Sequence, residues 1–221
     1  QLEDFRSTVN ALHVQLSGEL KLIASDTISL DERCCFPQVL SEFCEKAPDV
    51  YLQFETAPMS DIERMILNGE ADVGFIPYHR KLDGLIYHSL YEETCYLYCS
   101  DRHPLFNVAE EDEIRQGLVN SRSVQAGIQS NPDVAIQMVG LQKAATAYYY
   151  ETRATMILSG VYVGFLPEHY AARFVDDGRL RKLLPHERCY KLGIAAITHQ
   201  FSRLNKPRDF FMRLLQNQII R

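Results

Sequence analysis

Tryptophan is absent from the 221 residues, and no apolar stretch approaches the roughly 20 residues needed to cross a bilayer. A transmembrane helix is therefore excluded. Positive charge is in deficit, with 23 lysines and arginines against 29 aspartates and glutamates and a formal net charge of −6. A surface of that sign does not neutralise phosphates, so this chain is not itself a nucleic-acid reader. The opening Gln1-Leu2-Glu3-Asp4-Phe5 lacks a basic stretch followed by an apolar core, so no secretory leader is expected and the expected location is cytoplasmic. Recognisable catalytic motifs are missing as well: there is no nucleophile elbow, P-loop, HExxH or glycine-rich dinucleotide turn. No catalytic residue, metal or cofactor is expected.

Cysteine is present without a pattern. The six residues, at 34, 35, 44, 95, 99 and 189, form neither paired CxxC knuckles nor the dense spacing of a disulfide scaffold. Reduced, mostly buried thiols are the expectation. Cys95 and Cys99 stand four apart on an extended run, about 13 Å between Cα atoms, whereas a disulfide tolerates only about 7 Å. The vicinal pair Cys34-Cys35 near a helix start keeps open a thiol-based redox sensor or enzyme.

What is there is a regular alternation of strand and helix patterns. Leu2, Phe5, Val9, Leu12 and Leu16 step by three and four, the seam of a helix that faces a partner helix or its own domain, and Gly18 stops it. Period two over Leu20, Leu22 and Ala24 predicts a strand, and a stripe from Phe36 to Ala47 predicts a helix ended before Pro48. Val50, Leu52 and Phe54 form a second strand, and Ser60 with Glu63 stands at capping-box spacing before a short helix closed by Asn68-Gly69. Ala71 to Phe75 is a third strand. Extended runs follow at 85–91 and 94–99, with a passage to a second block placed at Asp101–Pro104. In that block Asn131-Pro132 reads as a helix start, 144–149 as a strand, 152–158 as a helix stopped by Gly160, and 161–166 as a strand closed by Pro167. A helix at 168–174, a strand at 190–198 and a last helix carrying Phe210, Phe211, Leu214 and Leu215 complete the order. Two such blocks of similar length imply parallel-rich sheets in two α/β lobes with a cleft between them.

Five phrases then carry a resemblance that covers essentially the whole chain. They are Gly18-Glu19-Leu20-Lys21-Leu22; Pro37 to Phe43 with Ala47-Pro48-Asp49-Val50; Leu67 to Gly74; Ser100 to Leu105; and Ile157 to Pro167. In this order and spacing the chain resembles the regulatory domain of LysR-type transcriptional regulators. The resemblance implies a periplasmic-binding-protein-like α/β fold of two Rossmann-like lobes joined by two crossover strands and preceded by the end of a linker helix. It implies residues 1–17 as the end of that dimerisation helix, 18–99 with 200–221 as the first lobe, and 100–199 as the second. It also implies a homodimer or homotetramer that reaches DNA through a winged helix-turn-helix ahead of Gln1, with no membrane partner. A solute-binding protein of an ABC transporter shares this fold, but the N-terminal seam and the missing leader argue against it. The run from Ala24 to Pro37 is longer than the family's usual one.

A small-molecule effector, carboxylate-bearing by this reading, is expected where loops leave the carboxyl ends of strands and helix N-termini offer free amides. The first candidates are Ser25, Thr27 and Ser29, whose hydroxyls either cap a helix or hold a carboxylate. Thr56 and His79 follow the second and third strands. Across the cleft Arg122 is expected to end a strand and clamp a carboxylate, Tyr149 of the run Tyr148-Tyr149-Tyr150 to form an aromatic wall, and Thr198 to complete the ring.

Overall fold

The computed structural model describes residues 16–126, 131–201 and 204–219. Apart from Leu16, the expected N-terminal seam lies outside the described residues. In chain order the elements are β1 (Ser17–Ala24), α1 (Phe36–Lys46), β2 (Asp49–Thr56), α2 (Met59–Leu67), β3 (Val73–Tyr78) and β4 (Leu85–Ser100). Next come α3 (Glu111–Val119), β5 (Arg122–Gln125), α4 (Pro132–Met138), β6 (Gln142–Thr146) and α5 (Tyr150–Leu158). The chain closes with β7 (Tyr162–Pro167), α6 (Glu168–Asp176), β8 (Leu180–Lys182), β9 (Cys189–His199) and α7 (Lys206–Ile219). Two compact units result: one of the described residues up to Ile76, Leu82–His88 and those from Ala196 on, the other of Pro77–Lys81 and Ser89–Ala195. The backbone passes from one to the other inside the long strands β4 and β9, and also enters and leaves the second unit around the segment Pro77–Lys81 at the end of β3.

In the first unit the strand order is β2-β1-β3-β9-β4. β1 pairs in parallel with β2 from Ser17↔Asp49 to Ala24↔Thr56, and with β3 from Leu22↔Val73 to Ala24↔Phe75. Leu20 and Leu22 are buried as period two requires, but Ile23 and Ala24 are buried too, because the end of this central strand is covered on both faces. Phe36, Val39 and Phe43 of α1 face the core, as do Phe211, Leu214 and Leu215 of α7. Their rings meet edge to face, with Phe36 4.7 Å from Phe75 and Phe43 5.7 Å from Phe211, an arrangement that adds electrostatic complementarity to burial. The capping box expected at Ser60 and Glu63 does not form. Pro58, held in an extended conformation, precedes α2, and its carbonyl accepts from the amides of Asp61 and Ile62, so Ser60 is already inside the helix.

The second unit runs β9-β4-β7-β5-β6, with β8 also on β4. β5 is parallel to both β6 and β7, whereas β4 meets β7 antiparallel with Cys95 opposite Pro167. The two extended runs expected at 85–91 and 94–99 form one continuous strand. The polar pair between them is accommodated: Glu92 takes Lys191 Nζ at 2.6 Å and Glu93 takes His169 Nδ1 at 2.7 Å. Asn131 caps α4 as expected, its side chain accepting from the Asp133 amide at 2.9 Å. Among the described residues no helix is long and apolar enough to cross a membrane.

Two features generate tests of stability. Gly160 ends α5 at φ +82, and a Cβ there would stand 2.6 Å from Arg102 Cβ and 3.1 Å from its backbone; Gly178 shares the left-handed conformation at φ +70 with open space around it. Gly178→Ala is therefore expected to cost about 1 kcal/mol, the left-handed penalty alone, and Gly160→Ala roughly 1–3 kcal/mol more, read as a difference in urea midpoints. His103 is buried, and its Nδ1 accepts from the Leu105 amide at 3.2 Å. Burial lowers its pKa below the usual 6.5. The unfolded chain thus takes the proton first, so His103 favours the fold fully at pH above about 6.5 and loses that contribution as pH falls below it. His103→Asn, with Oδ1 in place of Nδ1, is expected to flatten this part of the stability–pH curve measured by denaturant titration.

Candidate functional site

Each unit gathers loops at the carboxyl edge of its parallel strands. In the first, the register sets Ala24, Thr56 and Phe75 side by side, and two bonds tie their exits: the Ser25 amide donates to the Phe75 carbonyl at 2.8 Å and the Ala57 amide to the Ala24 carbonyl at 3.1 Å. Ser25 is buried, Thr27 and Ser29 are half-buried, and Thr56 is exposed. These four expected residues thus belong to one edge. The loop does not open directly into α1. Two single 3-10 turns, Ile28–Leu30 and Glu32–Cys34, intervene before α1 begins at Phe36. Thr27 makes no capping bond; it holds φ +72, a conformation that a β-branched residue adopts only when its surroundings impose it. The anchors are Ile28, which is buried, and Asp31, whose carboxylate accepts from Arg33 Nε at 2.9 Å and Arg33 Nη2 at 2.7 Å.

In the second unit the carboxyl edge consists of Gln125, Thr146 and Pro167. The Ala147 amide donates to the Gln125 carbonyl at 2.9 Å, and Gln125 Nε2 donates to the buried Ser123 hydroxyl at 3.1 Å. The tyrosine run is not on a strand. β6 ends at Thr146, Tyr148 is exposed in the turn, Tyr149 is the residue before α5, and Tyr150 is its first residue. Tyr149 keeps a place at this edge: its carbonyl accepts from the Arg153 amide and the Thr152 hydroxyl, and its ring is half-buried. Arg122 is not there. It opens β5 in register with Gln142 and Tyr162, the first residues of two neighbouring parallel strands, and so lies at the opposite, amino edge. Its guanidinium rests 5.2 Å from the centre of the exposed-edge Tyr162 ring.

The arginine that does reach the carboxyl edge is Arg153. It is 5% exposed; Nη1 donates to the Phe165 carbonyl and Nη2 to the Ala147 carbonyl, each at 3.2 Å, and the guanidinium lies 4.7 Å from the centre of the Tyr150 ring. Among the described residues no carboxylate comes within ion-pair distance of it. Arg153 therefore ties the end of β7 to the turn after β6 and leaves positive charge beneath the start of α5. Beside it, His169 in the first turn of α6 holds the buried Glu93. Sequence reasoning missed all three. Arg153 was legible as an arginine four residues before Ile157 on the buried stripe of α5, whereas nothing local marks Glu93 or His169.

Two expected residues remain. His79 is half-buried just past β3 in the segment 77–81, which belongs to the second unit. Thr198, buried on β9 in the first unit, sets its hydroxyl 3.4 Å from His88 Nε2. Burial pushes the thiols of Cys95 and Cys99 up to about 12, which leaves them protonated and poor nucleophiles at neutral pH. Cys35 precedes α1 and its thiol donates to the Glu32 carbonyl at 3.4 Å.

Comparison with known proteins bears on the family and the fold. The model of the LysR substrate binding domain matches residues 13–219. The HTH-type transcriptional activator BauR of Pseudomonas aeruginosa is 32% identical over 212 residues, covering 96% of this chain and 69% of BauR. Among solved structures, the effector binding domain of QuiR in complex with shikimate superposes with a TM-score of 0.75 at 11% identity, covering 91% of this chain and 96% of QuiR. The regulatory domain of CcmR from Synechocystis in complex with 2-PG gives 0.70 at 16% identity over 91% of this chain and 97% of CcmR. The fold is thus the periplasmic-binding-protein-like α/β fold of these regulatory domains. With a family match over nearly its whole length, the chain belongs to the LysR substrate-binding domain family and is the effector-binding domain of a LysR-type transcriptional regulator.

Proposed function

We propose that this domain senses a small, carboxylate-bearing effector through its carboxyl-edge loops, Ser25, Thr27, Ser29 and Thr56 in one unit and Tyr149 above Arg153 in the other. The observation that carries this reading is the buried Arg153, whose guanidinium hydrogen-bonds to two carbonyls, lies against a ring and, among the described residues, has no carboxylate within ion-pair distance. A buried cation not paired with a carboxylate is costly, and an anion brought to the start of α5 offsets that cost while the open amides of the helix donate to its oxygens. Thr27 adds a second argument. A strained residue in a loop at the carboxyl edge is of the kind that clusters at ligand-binding sites, where the surroundings fix the side chain.

In this reading the two units act as regulatory lobes, with bounds inside β4 and β9 instead of at residues 99 and 199, and the effector shifts the equilibrium between two arrangements by binding one of them more tightly. The protein works as a homodimer or homotetramer and meets DNA through a helix-turn-helix domain of the full-length regulator. Regulation, not catalysis, is its task.

A thermal-shift screen of small carboxylates, amino acids and nucleobases tests the proposal. A carboxylate at about 100 times its Kd is expected to stabilise the chain by roughly 2.7 kcal/mol. Thr27→Gly relieves a left-handed threonine and is expected to raise the melting temperature of the ligand-free chain, the gain being up to about 1 kcal/mol, while shrinking the ligand-induced rise. Arg122→Ala is expected to leave that rise intact. Stabilisation by neutral or cationic compounds alone would remove the carboxylate from the proposal.

A further inference from the structure

A groove of about 420 Å³ on the first unit, away from the carboxyl-edge loops, is bordered by Ile86 and His88 of β4, Thr198 of β9 and a face of α7. Asp209, Met212, Arg213 and Gln216 recur on that helix at three- and four-residue spacing, so one stripe of α7 fronts the groove. Its size falls at the small end of the range for metabolite pockets.

The chemistry of the walls is that of a receptor for an amphiphilic acid. Met212, 8% exposed, and the side chain of Ile86 form an apolar patch. Around it stand hydrogen-bonding groups: the Thr198 hydroxyl, the His88 imidazole 3.4 Å away, and the Gln216 amide. Burial lowers the His88 pKa from 6.5, so near neutral pH its ring is uncharged and offers one donor and one acceptor. Two guanidinium groups border the same space, and they differ. Arg208 spends Nε and Nη2 on Asp209 Oδ1, at 2.9 and 2.7 Å. Arg213 is exposed, lies 5.9 Å from the centre of the Phe210 ring, and has no carboxylate within ion-pair distance among the described residues. One positive charge is therefore left over, enough for a single carboxylate but not for a phosphate dianion.

We infer that this groove is a second ligand site, taking a small monocarboxylate with an aromatic or aliphatic body: the acid pairs with Arg213 and Thr198, and the body lies on Met212 and Ile86. Its position gives it a use. His88 is the last residue of the first unit on β4, and Thr198 lies two residues past the point where β9 enters that unit, so an occupant touches the two long strands that continue from the first unit into the second. Ligation here alters the strand ends whose continuations run into the second unit, and any coupling to the carboxyl-edge site is reciprocal.

The test is a titration of the full chain, carrying isotope-labelled methionine methyl groups, with phenylacetate while the Met212 methyl resonance is followed by NMR. A saturable shift of that resonance is expected. Arg213→Gln is expected to weaken it roughly tenfold, the loss of one charge-assisted hydrogen bond, and Arg213→Lys to recover most of the affinity. Thr198→Val provides a second variant with the same direction. Because Arg213 is exposed, its variants should keep the parent melting temperature. A Met212 resonance that phenylacetate does not move, or a shift that neither Arg213→Gln nor Thr198→Val weakens, overturns the inference.

Discussion

Parallel pairing in strict register is the constraint on which the functional edge of each unit depends. Parallel strands need crossover connections, so every strand in such a ladder delivers its chain to a loop at the same side of the sheet. Once Ala24 stands opposite Thr56 and Phe75, three loops must leave together, and the amides of Ser25 and Ala57 find their acceptors on the neighbouring strand ends. The same holds for Gln125 and Thr146, tied through the Ala147 amide. A one-residue slip in either register would break those bonds and turn buried side chains such as Leu22 and Ile23 toward the wrong faces.

The register also explains which charges matter. Arg122 and Arg153 are both in the second unit, but β5 begins at the one while α5 carries the other back over the strand ends. Helix α5 brings Arg153 under its own first turn, where two carbonyls and a tyrosine ring hold the guanidinium. Carbonyl acceptors engage Nη1 and Nη2 without cancelling the charge, and the buried Nε has no hydrogen-bond partner among the described residues, so the edge remains receptive to an anion. Glu93 and His169 stand close to that edge because Cys95 is opposite Pro167 in an antiparallel ladder, which places the residue two before one beside the residue two after the other.

Much of the fold was legible because hydrophobic periodicity reports burial directly. The stripe of α1, the face of α7, the buried run of β3 and the cap at Asn131 all follow from local rules. Where those rules failed, a neighbouring group had won. Pro58 took the start of α2 from Ser60, and charged partners on other elements kept β4 whole through Glu92 and Glu93. The tyrosine run read as strand because aromatic residues favour strands, yet β6 ends at Thr146, where the strand beside it ends, and Tyr149 became the residue that introduces a helix.

The sequence by itself determined the order of elements, the family and the polar loop at Ser25–Ser29, since spacing, glycine and proline positions and hydroxyl content are properties of the chain alone. Tertiary structure decided that Thr27 is left-handed, that Arg153 rather than Arg122 reaches the carboxyl edge, and that Thr198 shares a groove with His88, Met212 and Arg213. The physical reason is distance along the chain: strand direction and register fix which end of a sheet a residue occupies, and those are set by pairing between segments tens of residues apart, which no local pattern records.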